Sequence, residues 1–246
     1  MSIVVTEPHP GVCQLTMDRS GKKNALDIET YSQLTAGLQT ADADETLHAI
    51  VVTGANGAFT SGNDLDDFLR HSDPTPARDL LRTLVLINTP LIAAVEGAAV
   101  GIGATMLLHC DLVVAAQSAR FRLPFVPLGL SPEGGSSYLL PRIAGSKLAA
   151  ELLLFGDTFT ADVARQAGLI NTVVPEGGAL ASALAWAVRL SELPPAALRA
   201  AHRLLQGDRD QLLAVIDDEI TVFTERLNSD EARTILSSFG DRRAGR

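Results

Sequence analysis

The sequence predicts an α/β fold: a mostly parallel sheet with crossover helices, followed by a helical C-terminal third. Three observations carry this. An apolar run at 91–95, a short helical stretch at 101–108 and a second apolar run at 111–115 follow one another as strand, helix and strand. The run HAIVVTG at 48–54 suits a strand buried on both faces. Leu213, Ile216, Ile220, Phe223 and Leu227 then fall at alternating steps of three and four, the period of a long amphipathic helix.

Taken in order, residues 2–6 and 12–17 read as two strands of an opening hairpin, with Pro10 and Gly11 at the turn. Asp27 is placed to cap a helix on which Ile28, Tyr31, Leu34 and Leu38 share one face. Asn56-Gly57 and Ser61-Gly62 mark a loop at 55–63. A helix is expected over 77–88, ended by Pro90. Prolines at 124, 127 and 132, then Gly134-Gly135, make 122–145 the least regular part of the middle and a natural place for site chemistry. Thr160 caps a helix that Gly168 stops, and Leu180, Ala183, Leu184, Ala187 and Val188 mark another. Asn228 to Glu231 fits a capping box for a last helix carrying Ile235, Leu236 and Phe239. The apolar faces of this tail need a support, either the first domain or a neighbouring subunit.

At 246 residues and about 150 per domain, the length suits one large domain with an appendage. The composition, 46% hydrophobic and 20% charged, is that of a globular chain able to bury a sizeable core without staples. Twenty basic against 29 acidic residues leave a net charge of −9, which argues against nucleic-acid binding through a general basic field. Cys13 and Cys110 are too few for a disulfide framework and too far apart for a zinc knuckle. The longest mid-chain run free of charge and His, 97–108, falls short of a membrane span, and neither end carries a recognisable address, so the cytoplasm is the expected location.

Three loops could carry chemistry. Gly101-Ile102-Gly103 opens a helix after a strand, but Met106 stands where a dinucleotide fingerprint needs its third glycine. The segment reads instead as exposed backbone N–H donors at a helix start, or as tight helix–strand packing. Ser61-Gly62-Asn63-Asp64-Leu65 reads either as a turn capping a short helix through Asp66, Asp67 and Phe68, or as a second exposed donor at Asn63. Ser131-Pro132-Glu133-Gly134-Gly135 isolates one carboxylate after Leu128 and Leu130, where apolar surroundings would raise its pKa toward useful base strength and a following helix N-terminus would pull it the other way; the alternative is a solvated loop acid. No Gly-x-Ser-x-Gly elbow occurs, the five histidines show no metal-binding spacing, and His109 reads as a helix-end residue.

Together AFTSGNDL (58–65), AAVEGAAVGIGAT (93–105) with Cys110-Asp111, and the segment 121–142 resemble the crotonase, or enoyl-CoA hydratase/isomerase, superfamily; weaker likeness runs from Lys22-Lys23-Asn24-Ala25 to the tail. The resemblance implies a crotonase-like spiral of ββα units over 1–190 and a helical region over 191–246 used for assembly into a homotrimer or dimer of trimers. It implies an acyl-CoA thioester as ligand, with coenzyme A part of the substrate and no separate cofactor or metal. The N–H groups of Asn63 and Ile102 match the pair that holds the thioester oxygen as it becomes an enolate, and fixed donors of this kind supply several kcal/mol, about 3 each. Lys23, Ala25, Ser61, Gly62, Asp64, Leu65, Gly101, Phe125 and Leu130 are the other implied substrate contacts. Lys22, Lys23, Arg242, Arg243 and Arg246 are available to meet the CoA phosphates.

The carboxylates set the expected reaction. Typical hydratases carry two Glu residues, at positions matched here by Thr105 and Phe125. By contrast LGLSPEGGSSY (128–138) with Pro141-Arg142, Leu193-Pro194-Pro195 and Leu227-Asn228-Ser229-Asp230-Glu231 resemble the 3,2-trans-enoyl-CoA isomerases, in which the Glu matching Glu133 is the single base. The expected activity is therefore a shift of a 3-enoyl-CoA to the trans-2-enoyl-CoA, as in fatty-acid β-oxidation, with Phe125, Leu130 and Tyr138 expected to keep water from Glu133. The alternatives are a hydratase or another crotonase reaction, and a non-catalytic acyl-CoA-binding module.

Overall fold

The computed structural model describes residues 2–64, 66–67 and 73–244, with the backbone alone at residue 20 and over 239–244. The strands are β1 (Ile3–His9), β2 (Val12–Met17), β3 (Ala49–Gly54), β4 (Leu91–Val95), β5 (Ala98–Val100), β6 (Leu112–Ala116), β7 (Arg120–Arg122), β8 (Thr158–Thr160) and β9 (Thr172–Val174). They form two sheets, one ordered β1-β2-β3-β4-β6-β9 and one ordered β5-β7-β8. Among the described residues only the β1–β2 hairpin and the β7–β8 pair are antiparallel.

The two sheets are threaded as a spiral. The chain leaves β4 in the large sheet and enters β5 in the small one; one turn later it passes from β6 to β7 in the same way. Thr60, following β3, makes a parallel bridge to Ala99 and so begins the same step one turn earlier. This is the ββα repeat the sequence led us to expect.

Strands β3 and β4 are buried along almost their whole length, because helices cover both faces. Alternate side chains divide the core. Ala49 and Val51 meet helix α7 (Ala179–Ser191), whose Ala179, Ala183 and Ala187 let it lie close to the sheet. Ile50 and Val52 join the larger core with α1 (Ile28–Ala43) and α2 (Thr75–Leu86). Asp27 caps α1 as expected, accepting from the Thr30 N–H at 2.8 Å.

The expected helix at 101–108 is split into α3 (Ile102–Thr105) and a 3₁₀ turn, Met106–His109. The stretch 122–145 is more regular than its prolines and glycines suggest. It holds a 3₁₀ turn at Val126–Leu128 and helix α4 (Ser136–Ala144), which carries Pro141. Helices α5 (Ser146–Phe155) and α6 (Ala161–Gln166) precede α7, and α8 (Pro195–Leu205), α9 (Arg209–Leu227) and α10 (Asp230–Ala244) follow it. The last cap differs from expectation: Ser229 Oγ accepts from the Ala232 N–H at 3.2 Å, while Asn228 ends α9 and donates back to Thr224 O. Helix α9 packs on α2 of the same chain. The first of the two expected supports for the tail is the one α9 uses. Among the described residues no helix is long and apolar enough to cross a membrane.

Candidate active site

The first loop is built on a short bridge. Leu26 pairs in parallel with Asn63; the Leu26 N–H donates to Gly62 O and the Asp64 N–H to Leu26 O, each at 2.8 Å. That pattern uses groups on both sides of Asn63 and turns its own N–H the other way. Gly62 has φ +85°, and a Cβ there would lie 2.6 Å from Val100 O, so only glycine lets this loop rest on the end of β5. Asp64 is buried and paired with Arg19 at 2.9 Å, and Arg19 reaches Asp27 at the same distance, tying the loop to the start of α1. The Tyr31 hydroxyl donates to Asn63 Oδ1 at 2.5 Å. Burial, and secondarily the charge of Glu133, hold that phenol well above its ordinary pKa, so it stays a neutral donor.

The second loop lies directly beside the first. Gly101 donates to Arg122 O and accepts from the N–H groups of Ala104 and Thr105. Ile102 opens α3, where the first N–H groups of a helix have no partner inside it. Among the described residues nothing takes up the N–H of either Asn63 or Ile102. The Gly62–Val100 contact brings the two donors onto one cavity, which Glu133 also lines.

Glu133 is 7% exposed and accepts from Thr105 Oγ at 2.7 Å through one carboxylate oxygen. Burial pushes its pKa up to about 8; the Thr105 bond pulls it down and the charge of Glu219 adds to the rise. The turn behind it is tightly held. His109 Nε2 bonds Gly134 O at 2.8 Å, and burial lowers this imidazole to about 4, so it donates as the neutral ring. Ser136 Oγ donates to Glu133 O at 2.6 Å. Glu219, from α9, accepts from the N–H groups of Gly135 and Ser137 and from the Ser137 hydroxyl.

Leu26, Ile28 and Tyr31 form one wall of the cavity, Pro74, Pro76, Ala77 and Leu81 another, and Ile220, Phe223 and Leu227 of α9 a third. Asp64, Asp67 and Asp73 also border it. Each has structural partners: Asp64 pairs with Arg19, Asp67 accepts from the Ile28 N–H and Asp73 from the Thr75 N–H. Among the described residues no cluster of His, Cys, Asp and Glu is arranged to hold a metal.

Of the expected contacts, Asn63, Asp64, Ile102 and Glu133 therefore meet at this cavity. Lys23, Ala25 and Ser61 do not line it and take part in the loop's own bonds: Lys23 O accepts from the Ser61 N–H, Ala25 O from Arg19, and Ser61 Oγ donates to Lys22 O. Gly62 and Gly101 shape the backbone under the two donors. Phe125 and Leu130 are buried in the same hydrophobic core as Leu81 and Ile102 and are not among the residues that line the cavity. Tyr138 is a correction. Its hydroxyl reaches Gln211 at 3.1 Å and its ring lies 3.3 Å under the Arg142 guanidinium, so it faces α9 rather than Glu133. Lys22 pairs with Asp66 at 2.8 Å. Leu65, Phe68, Arg246 and the side chains of Arg242 and Arg243 lie outside the described residues. Sequence reasoning did not find Tyr31, His109 or Glu219 as site residues. For Glu219 a signal was present: an acid on the apolar stripe of α9, between Ile216 and Phe223.

Comparison with known proteins places the chain in a family. The sequence pattern described as "Enoyl-CoA hydratase/isomerase" matches residues 7–245. The chain is 35% identical over 243 residues to enoyl-CoA delta isomerase 2 of Rattus norvegicus, covering 95% of this chain and 62% of the rat protein's length. It is 34% identical over 248 residues to 2,3-dehydroadipyl-CoA hydratase of Escherichia coli K12, covering 99% and 97%. The solved structure of Pseudomonas aeruginosa OdaA superposes with a TM-score of 0.93 at 41% identity, covering 97% of this chain and 98% of that one. With fold, loops and sequence in accord along nearly its full length, the chain belongs to the enoyl-CoA hydratase/isomerase family of the crotonase superfamily.

Proposed function

We propose that the protein is an enoyl-CoA isomerase that moves the double bond of an acyl-CoA thioester from C3 to C2. The observation that carries this reading is the buried carboxyl of Glu133 on a cavity shared with two unpaired main-chain donors, the other buried carboxyl there, Asp64, being paired with Arg19. As a carboxylate, Glu133 takes a C2 proton. The C–H electron pair moves into the C1–C2 bond and the thioester oxygen becomes an enolate oxygen between the N–H groups of Asn63 and Ile102. The same carboxyl then returns the proton to C4, the double bond settles between C2 and C3, and the thioester carbonyl reforms. Glu133 ends as it began, so the reaction draws on no metal or redox group. Thr105 holds one carboxylate oxygen and leaves the other for the substrate. The apolar walls favour a low-dielectric site in which both the base and the donors act strongly.

A second reading, hydration of a 2-enoyl-CoA, is favoured by the near-equal identity to the E. coli hydratase. It would require Glu133 alone to activate water and deliver a proton, since Thr105 and Phe125 stand where the resemblance places two carboxylates. The test is turnover of 3-hexenoyl-CoA against crotonyl-CoA by the purified protein. Fast conversion of the first with little hydration of the second is expected; hydration of crotonyl-CoA at a comparable kcat/KM overturns the isomerase reading.

The acid–base state of Glu133 sets the pH dependence. The base must be ionised, and its pKa in the cavity is about 8. Only about a tenth is ionised at pH 7. The isomerase kcat/KM is therefore expected to rise with pH, about tenfold per unit on the acid side, and to level off above 8. A profile already flat from pH 5 to 9 would show that a different group carries the proton.

A further inference from the structure

Glu219 is a buried acid that the proposed reaction does not use. It lies on the buried stripe of α9 with Ile216, Phe223 and Leu227 and is 8% exposed. A carboxylate withdrawn from water is retained where hydrogen bonds replace its hydration. Here every described bond comes from the turn that follows Glu133. One oxygen accepts from the Gly135 N–H at 2.6 Å; the other accepts from the Ser137 N–H at 2.9 Å and the Ser137 hydroxyl at 2.5 Å. These are N-terminal N–H groups of α4, which a local cap normally takes. The local cap position is Gly135, with no side chain to offer, and a Cβ there would lie 2.9 Å from Leu212 of α9. At φ +71° Gly135 holds a conformation that residues with side chains rarely adopt, and helix α9 provides the cap from 82–84 residues away.

We propose that Glu219 is a positioning residue for the base: it clamps the turn that aims the Glu133 carboxyl into the cavity and sets a second carboxyl behind it. This rests on the reading of Glu133 as the base. Burial pushes the Glu219 pKa up, while the bonds donated by Ser137 and Gly135 favour its charged form. Tyr31 from α1 and His109 from the 3₁₀ turn are neutral, and cations of the helices packed here are engaged elsewhere: Arg82 of α2 with Asp217, Arg226 of α9 with Glu231, and Arg142 of α4 with Tyr138 O. The direction in which Glu219 moves the protonation of Glu133, upward, agrees with this arrangement.

The experiment compares Glu219→Gln, Glu219→Asp and Ser137→Ala with wild type, measuring kcat, KM and pH profiles on 3-hexenoyl-CoA, and melting temperature. Glu219→Gln keeps the length and removes the charge. Its kcat is expected to fall by about tenfold to a hundredfold with KM unchanged, because the carboxyl is misplaced. The acid limb of its profile is expected to move to lower pH by about half a unit or more, since a like charge no longer opposes ionisation of Glu133. Glu219→Asp keeps the charge and shortens the reach, so kcat falls and the limb stays. A folded Gln variant whose acid limb remains at the wild-type pH overturns the proposal whatever its kcat, because a purely structural prop would lower kcat alone. Should that variant fail to fold, Ser137→Ala decides: a severalfold loss of kcat with KM and melting temperature unchanged supports the clamp, and wild-type kcat, or a loss that follows KM or the melting temperature, overturns it. A Glu133→Gln variant as active as wild type would instead remove the reading of the base, so the two failures show in different proteins.

Discussion

Glu133→Gln is expected to lose at least about four orders of magnitude in turnover of 3-hexenoyl-CoA, the upper end of what one acid–base group supplies, because the same carboxyl both removes and returns the proton. The amide has nearly the same shape, and its oxygen can still accept from Thr105 Oγ, so binding of an acyl-CoA in a titration is expected to persist. Loss of binding together with turnover would indicate a structural role instead. The substitution carries a second, opposite signature. Burial raises the carboxyl from 4.5 to about 8, so the folded state favours the protonated form. The contribution of this group to stability is complete below about 4.5 and is lost as pH rises through 8. An amide is neutral throughout. Thermal melts should therefore show Glu133→Gln more stable than wild type above pH 8, by about 3 °C or more, with the difference closing below pH 4.5. Equal melting temperatures at high pH would show that the carboxyl is not desolvated.

Gly62→Ala is the second large effect. The new Cβ would sit 2.6 Å from the Val100 carbonyl oxygen, main chain that cannot swing aside, at a φ of +85° that L side chains rarely adopt. The loop must lift from β5, and the Asn63 N–H lifts with it, away from Ile102. Removing one donor from an oxyanion hole costs about 10²–10³ in kcat, and a loss in that range is expected here. The strain should also lower stability by about 1–3 kcal/mol. Gly57→Ala is the matched control. It too has a positive φ, +72°, but open space around its Cβ, so it should lose some stability and retain full turnover. If both variants keep wild-type kcat, the Gly62 contact does not set the donor geometry.

Much of this was legible in the chain because it is local. Alternating and continuous apolar runs located the strands of the large sheet except β9, three-to-four spacing and breakers most of the helices, and Asp27 announced the start of α1. The glycines of the two donor loops mark places where backbone must approach backbone, and such a demand leaves a mark on the sequence itself. Helix α4 was not legible. Pro141 and Gly134-Gly135 argue locally against a helix, and the group that caps it comes from α9.

The side chains that set the chemistry at Glu133 are of that second kind. Thr105, Tyr31, His109 and Glu219 belong to four different elements, and the bonds that join them to the donor loop and the base turn span from 25 to 84 residues of chain. Composition and spacing could single out a lone carboxylate after two glycine-rich loops, since those are properties of neighbouring residues. Whether that carboxylate is ionised depends on how much water α2, α9 and the core remove from it and on which charge lies behind it. Hydration and Coulomb forces act through space rather than along the chain, so only the folded arrangement decides the state of the base.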